Sequence, residues 1–247
     1  MRSRLDLEIA RRGLAISREA AQRLIMAGRV RVNSRPANKS DLKVDDATQI
    51  AIVGAEREYA SRGAYKLLAA LDHFGIAVEN RYALDVGAST GGFTDILLRR
   101  GAAHVIALDV GYGQLAERLR LDPRVTVMDR TNVRYVRADD LPYQPGLVTI
   151  DASFISLKLI LPPVLALLAP PADVIALVKP QFEVGKHHIG KGGIVRDPQR
   201  RLLALTEIVN FGVNLGLSSS GWIDSPITGA AGNCEFLVSL RLPCASE

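Results

Sequence analysis

The chain has 247 residues, 48% of them hydrophobic and 23% charged, a composition that fits one or two globular domains with a sizeable core. Its net charge of +5 is unevenly placed: residues 1–40 hold ten Arg/Lys against three Asp/Glu, a local +7, which leaves −2 for the remainder. A basic module on a near-neutral body points to a polyanion partner, the alternative being a solubilising basic tail.

Cys234 and Cys244 lie too near each other and the end to staple a fold of this size, and Arg2, Arg4, Asp6 and Glu8 interrupt any apolar leader. The most apolar run, 157–168, contains Lys158 and Pro162-Pro163 and falls short of the roughly 18–20 residues of a spanning helix. A reducing cytoplasm without membrane association is expected.

In chain order, residues 5–10 read as a helix that stops at Gly13, and Ser17 as the N-cap of a second helix ending near Gly28. Arg29-Val30-Arg31-Val32-Asn33 alternates as a strand with valines inward and arginines outward, and residues 42–52 supply further short strands. Arg2, Arg4, Arg11, Arg12, Arg18, Arg23, Arg29 and Arg31 are the candidate phosphate contacts. This stretch resembles an RNA-binding motif found in the fourth protein of the small ribosomal subunit and in many pseudouridine synthases. Residues 53–60 read as a linker.

From Ser61 onward helices and strands alternate. Helices are expected near 61–74, 91–100, 113–120, 155–168 and 198–215, and strands near 82–86, 104–109, 125–129, 147–151, 173–178, 219–224 and 235–241. That order predicts a parallel sheet covered on both faces, with ligands at the carboxyl ends of its strands.

Asp85-Val86-Gly87-Ala88-Ser89-Thr90-Gly91-Gly92-Phe93 is a strand end, a glycine-rich turn and a helix start, and the acid expected about 20 residues later is Asp109. A dinucleotide site wants glycine where Ser89 stands, to admit a pyrophosphate. S-adenosylmethionine has no phosphate; Asp85 suits its amino group, Asp109 its ribose and Asp129 its adenine. The methyl donor is therefore the expected cofactor.

The acceptor chemistry is sought at the other strand ends. Asp151 ends the fourth strand and Lys179 the fifth; Lys66 precedes the first strand and Glu235 opens the last. A partly buried lysine oriented by a carboxylate can accept the proton of an attacking ribose 2′-hydroxyl, and structural salt bridges are the plain alternative. Base or amide methylation stays open, because Asp151-Ala152-Ser153-Phe154 partly echoes amine methyltransferases. Cys234 reads as a small core residue rather than a nucleophile. No metal site is expected, since His187 and His188 lack further ligands, and their loop reads as a mobile basic lid.

The segments SRGAYKL, LDVGASTGGFT, ALDVGYGQL, DRTNV, ASFISL, VKPQFEVGK, GGIVRDP and GNCEF closely resemble the TlyA family of rRNA methyltransferases, also known as haemolysin A, from about residue 2 to 243. The resemblance implies a Rossmann-like class I S-adenosylmethionine-dependent α/β fold of the FtsJ/RrmJ type at 61–243. A small N-terminal α+β RNA-binding domain would occupy 1–52 and a tail 244–247. It implies a Lys-Asp-Lys-Glu tetrad at Lys66, Asp151, Lys179 and Glu235, with Lys179 the proton acceptor, and a donor pocket including Gly87, Gly91, Phe93, Asp109, Asp129 and Asp151. The implied reaction is methylation of the 2′-oxygen of cytidine in ribosomal RNA, with the ribosomal subunit as partner and no obligate protein partner. Mycobacterial members carry Arg-x-Trp-Val where this chain has Arg57-Glu58-Tyr59-Ala60, so coupling of RNA binding to cofactor affinity through that segment is not implied here. The chain also stops soon after the last strand, without the longer C-terminal extension of some members, and action on the large subunit alone is expected. A non-enzymatic RNA-binding factor and a membrane-active haemolysin are the rival readings.

Overall fold

The computed structural model describes residues 3–15, 17–53, 59–229 and 232–244, and the chain divides into two units, 1–58 and 59–247. Arg2, Arg57 and Glu58 lie outside the described residues.

In the first unit, β1 (Ser3–Arg4), α1 (Leu5–Arg11), α2 (Arg18–Met26), β2 (Val30–Val32), β3 (Arg35–Pro36), β4 (Lys43–Val44) and β5 (Ile50–Ile52) follow one another. Ser17 caps α2 by accepting from the Ala20 N–H at 3.1 Å. Strand β2 alternates, with Val30 buried and Arg31 exposed, and pairs antiparallel with β3 and β5. Leu5, Ile9, Ala21, Ile25, Val30 and Val44 close a small core. The two-residue strands β1 and β3 are too short to leave a periodic signal.

The second unit contains α3 (Ala64–Phe74), β6 (Tyr82–Val86), α4 (Gly92–Arg99), β7 (His104–Leu108), α5 (Glu117–Arg120), β8 (Val125–Met128) and β9 (Leu147–Ile150). It continues with α6 (Leu161–Leu165), β10 (Ala172–Val178), α7 (Pro180–Glu183), α8 (Pro198–Asn214), β11 (Ser218–Asp224) and β12 (Phe236–Leu242). One seven-stranded sheet runs in the order β11-β12-β10-β9-β6-β7-β8. The chain leaves β6 toward β7 and β8, then returns to β9 and β10 on the other side, so β6 and β9 flank the switch point.

Period-two alternation splits the apolar residues between two layers. Leu84, Ile106, Val148 and Ile208 pack on one face, and Ala83, Val105, Ile96 and Leu67 on the other.

Three expectations change. Strand β12 is antiparallel to both β10 and β11: the chain returns from β11 to β12 over residues 225–235 rather than through a helical crossover. The helix expected over 155–168 is a 3-10 turn at Leu157–Leu159 followed by α6, since Pro162 and Pro163 cannot donate within a longer helix. Around α5, the left-handed Gly113 (φ +64°) delays the helix until Glu117. Among the described residues no helix is long and apolar enough to cross a membrane.

Candidate active site

The turn after β6 depends on two glycines. Gly87 has φ +84°, and a Cβ there would stand 2.7 Å from the Asp151 carbonyl oxygen, so glycine alone lets the end of β9 close against the turn. A Cβ on Gly92 would overlap Ser61 Oγ and stand 3.1 Å from the Ala64 nitrogen, where the start of α3 approaches α4.

Asp109, just beyond β7, accepts from the Ser89 N–H at 2.8 Å and the Gly111 N–H at 2.7 Å. Each oxygen keeps a lone pair for a ligand hydroxyl. Gly87, Ser89, Asp109, Gln114, Asn132 and Asp151 line a cleft of about 470 Å³ at the switch point. A neighbouring cavity of about 240 Å³ shares Gly87, Ser89 and Asp151, and adds Lys66, Thr90, Gly92 and Phe93. Gly91 lines neither; it turns the backbone at φ +94° with Leu115 and Leu119 against it.

Two expected cofactor contacts lie elsewhere. Asp85 is fully buried, and its oxygens accept from Thr94 Oγ1 at 2.7 Å and Thr149 Oγ1 at 3.0 Å. It points into the α3/α4 layer and lines neither cavity. Burial pushes its pKa up to about 7 against the pull of the two hydroxyls. Asp129 accepts from Arg120 at 2.8 Å and the Gly113 N–H at 3.1 Å, and Arg120 holds its carboxyl below the usual range. Thr131 and Asn132, rather than Asp129, line the cleft there.

The four tetrad candidates form two ion pairs. Lys66 Nζ lies 2.5 Å from Glu235 Oε2, across 169 residues of sequence. Lys179 Nζ lies 2.6 Å from Asp151 Oδ1 and donates to Ser153 Oγ at 2.7 Å. Lys66, Lys179 and Glu235 are 7%, 8% and 3% exposed, a degree of burial that charged side chains reach almost only when paired.

Sequence reasoning missed Gln114, Asn132, Ser153 and Phe154. Their signal was proximity: Asn132 follows the third strand and Ser153-Phe154 the fourth. Phe154 is 91% exposed at φ +65°, beside Phe182 at 5.2 Å between ring centroids.

Cys234 is exposed rather than a core residue. Burial alternates as the chain approaches β12, with Asn233 and Glu235 inward and Cys234 outward, 2.8 Å from an Arg201 nitrogen. Buried Asn233 accepts from the Val195 N–H at 3.0 Å and donates to the Gly193 carbonyl at 2.9 Å, anchoring the end of the basic loop. No cluster of metal-binding side chains occurs among the described residues. Of the linker, Ala60 N–H donates to Asp95 Oδ2 on α4 at 2.8 Å, and Arg99 stacks on Tyr59 at 4.9 Å.

In the first unit half of the candidate arginines are occupied by the fold. Buried Asp6 accepts from Arg4 at 3.0 Å, Arg18 at 3.0 Å and Gln22 at 2.8 Å. Buried Glu8 accepts from Arg11 and Arg12, each at 2.6 Å. These hydrogen bonds hold both carboxyls well below their usual range against the effect of burial. Arg12 also donates to the Asp45 and Thr48 carbonyls at 2.8 Å, which makes it a strut. Arg29 reaches the Val53 carbonyl at 3.4 Å, and exposed Arg31 reaches Ser34 O at 3.2 Å. Arg23 is exposed on α2.

Replacing Arg12 by alanine is therefore expected to lower the melting temperature of the first unit. On the expectation that this unit grips RNA phosphates, replacing Arg23 should instead weaken RNA binding and reduce its logarithmic salt slope by roughly 0.7–0.9 for each phosphate that is no longer neutralised. Thermal melts and salt titrations of both variants separate the roles, and equal salt slopes in wild type and Arg23→Ala would remove that residue from the phosphate-binding surface.

Comparison with known proteins extends the geometry. The model of the FtsJ-like methyltransferase family matches residues 59–242, and that of the S4 domain residues 3–50. The 16S/23S rRNA (cytidine-2′-O)-methyltransferase TlyA of Mycobacterium tuberculosis is 50% identical over 97% of this chain and 90% of its own. Hemolysin A of Brachyspira hyodysenteriae is 39% identical over 95% of this chain and 98% of its own. A solved structure from Streptococcus thermophilus superposes with a TM-score of 0.76 at 43% identity, covering 98% of this chain and 89% of that one. With a glycine turn, two lysine–carboxylate pairs beside it and an S4 unit ahead of them in sequence, the chain belongs to the FtsJ-like methyltransferases and, within them, to the TlyA family of rRNA methyltransferases.

Proposed function

We propose that the protein transfers a methyl group from S-adenosylmethionine to the 2′-hydroxyl of a cytidine in ribosomal RNA. The observation that carries this reading is the Lys179–Asp151 pair at the rim of the cleft, with Lys66–Glu235 buried beside it. The residues present fit the donor. Gly87 leaves a cradle that any Cβ would fill, Asp109 offers acceptors to ribose hydroxyls, and Asp151 lines both cavities. When bound, the donor supplies an electrophilic methyl on a sulfonium.

Lys179 Nζ accepts the proton of the 2′-hydroxyl, and the Asp151 carboxylate pairs with the ammonium that results. Ser153 Oγ, hydrogen-bonded to the same nitrogen, fixes its direction. Lys66, held by Glu235, orients the acceptor ribose from the smaller cavity. Exposed Phe154 offers a face on which the acceptor base stacks. Arg11, Arg18, Arg23 and Arg31 retain donors for RNA phosphates.

The relative from M. tuberculosis is named for both subunit RNAs, so the test uses both. Purified protein with labelled S-adenosylmethionine and ribosomal subunits is expected to give label that resists alkaline cleavage, because a 2′-O-methyl group removes the internal nucleophile. Label confined to alkali-sensitive RNA would move the acceptor to a base.

A further inference from the structure

The loop that carries Asp151, Ser153 and Phe154 has few fastenings of its own. Phe154 occupies the left-handed region at φ +65° with its side chain exposed, a conformation that a bulky residue keeps only when its surroundings hold it. The holding group is a single rigid turn, α7. Lys179 is the N-cap of α7 and Glu183 its last residue, with Pro180 setting the first helical φ.

Both ends of the loop are tied to that turn. At the near end Lys179 meets Asp151 at 2.6 Å and Ser153 at 2.7 Å. At the far end Glu183 Oε2 accepts from Ser156 Oγ at 2.5 Å, and Glu183 Oε1 from the Leu157 N–H at 2.9 Å. Between them the Phe182 ring lies against Phe154. Glu183 is half-buried; removal from water pushes its carboxyl up, and the two donors only partly offset this.

We propose that Glu183 is a positioning residue for methyl transfer, clamping Ser156 and Leu157 so that the acceptor loop keeps its register against Lys179. It touches neither the donor cleft nor the Lys179 amine; it acts through the loop. The proposal rests on the ribose-methylation reading above. A misplacement of about 1 Å at a reacting centre costs on the order of 10²-fold in rate, so a loosened loop should slow transfer while leaving RNA capture by the first unit intact.

The experiment compares full-length wild type, Glu183→Ala, Glu183→Asp and Glu183→Gln. Single-turnover transfer of labelled methyl to ribosomal subunits is measured at saturating S-adenosylmethionine and RNA, beside separate dissociation constants and melting curves. Alanine is expected to slow the saturated rate by roughly 10–100-fold with RNA affinity within about twofold. Asp, one methylene short of Ser156, should stay near the alanine rate. Gln should recover to within about threefold, because its carbonyl accepts from Leu157 and its amide meets Ser156.

Wild-type rates in folded Glu183→Ala and Glu183→Asp would overturn the clamp, as would a loss confined to RNA affinity. If the alanine variant does not fold, the aspartate variant decides. Wild type run in the same assay separates the two readings: no ribose product at all overturns both, and ribose product with equal variants overturns the clamp alone.

Discussion

Lys179→Ala is expected to lower single-turnover methyl transfer by roughly 10²–10⁴-fold, the usual contribution of a placed proton acceptor. Cofactor affinity should change little, because Lys179 lines neither the switch-point cleft nor the smaller cavity. Arginine provides the sharper test. Lys179→Arg keeps the charge pair with Asp151, but a guanidinium cannot be deprotonated at working pH and so cannot accept the 2′-hydroxyl proton. If Lys179 moves a proton, arginine should be as slow as alanine. Recovery of rate by arginine would show instead that the position supplies only positive charge beside Asp151. Quench-flow rates at saturating donor and RNA, with donor affinity measured separately, give the comparison.

Stability should depend on pH through Asp85. Its folded pKa is raised from 3.8 to about 7 by burial, so the folded chain holds that proton more tightly than the unfolded chain does. The stabilisation is complete below the unfolded pKa near 4 and is lost progressively as pH rises through 7. At 1.36 kcal/mol per unit, the full loss is about 4 kcal/mol, of which roughly 2–3 kcal/mol falls between pH 5 and pH 8. Asn is close to isosteric with the protonated acid and does not titrate. The difference in unfolding free energy between wild type and Asp85→Asn should therefore move by that amount across the interval, with the variant gaining as pH rises. Asp95, Asp122 and Asp129 have lowered pKa values and titrate with the opposite sign, but they are common to both proteins and cancel in the difference. Parallel stability curves would mean that Asp85 is ionised, or solvated, in the folded chain. Urea unfolding of the pair at the two pH values measures it.

Much of the site was legible without coordinates because it depends on local rules. A glycine turn between strand and helix, an acid about 20 residues on, and charged residues interrupting apolar strand ends are short-range patterns. They sufficed to nominate Gly87, Asp109, Asp151 and Lys179. The expected strands also matched closely wherever a run was long enough to show alternation. The difficulties came where several residues of one type occupied equivalent positions. Asp85, Asp109 and Asp129 all stand at strand ends, yet one is sealed between two threonines, one faces the cleft and one is taken by Arg120. The arginines of the first 40 residues likewise look interchangeable until Asp6 and Glu8 claim four of them.

The sequence by itself determined the two-module organisation, the strand–turn–helix beside the cleft and the residue types available for chemistry, since periodicity, glycine conformations and charge are properties of neighbouring residues. The tertiary structure alone decided which charges meet: Lys66 with Glu235, Ser153 with Lys179, Glu183 with Ser156, and the reversal of β12 that brings Glu235 to the site. The physical reason is that each of those pairings joins segments from 26 to 169 residues apart. An ion pair or hydrogen bond acts over a few ångströms of space and carries no trace of sequence separation, so its partners are chosen by packing.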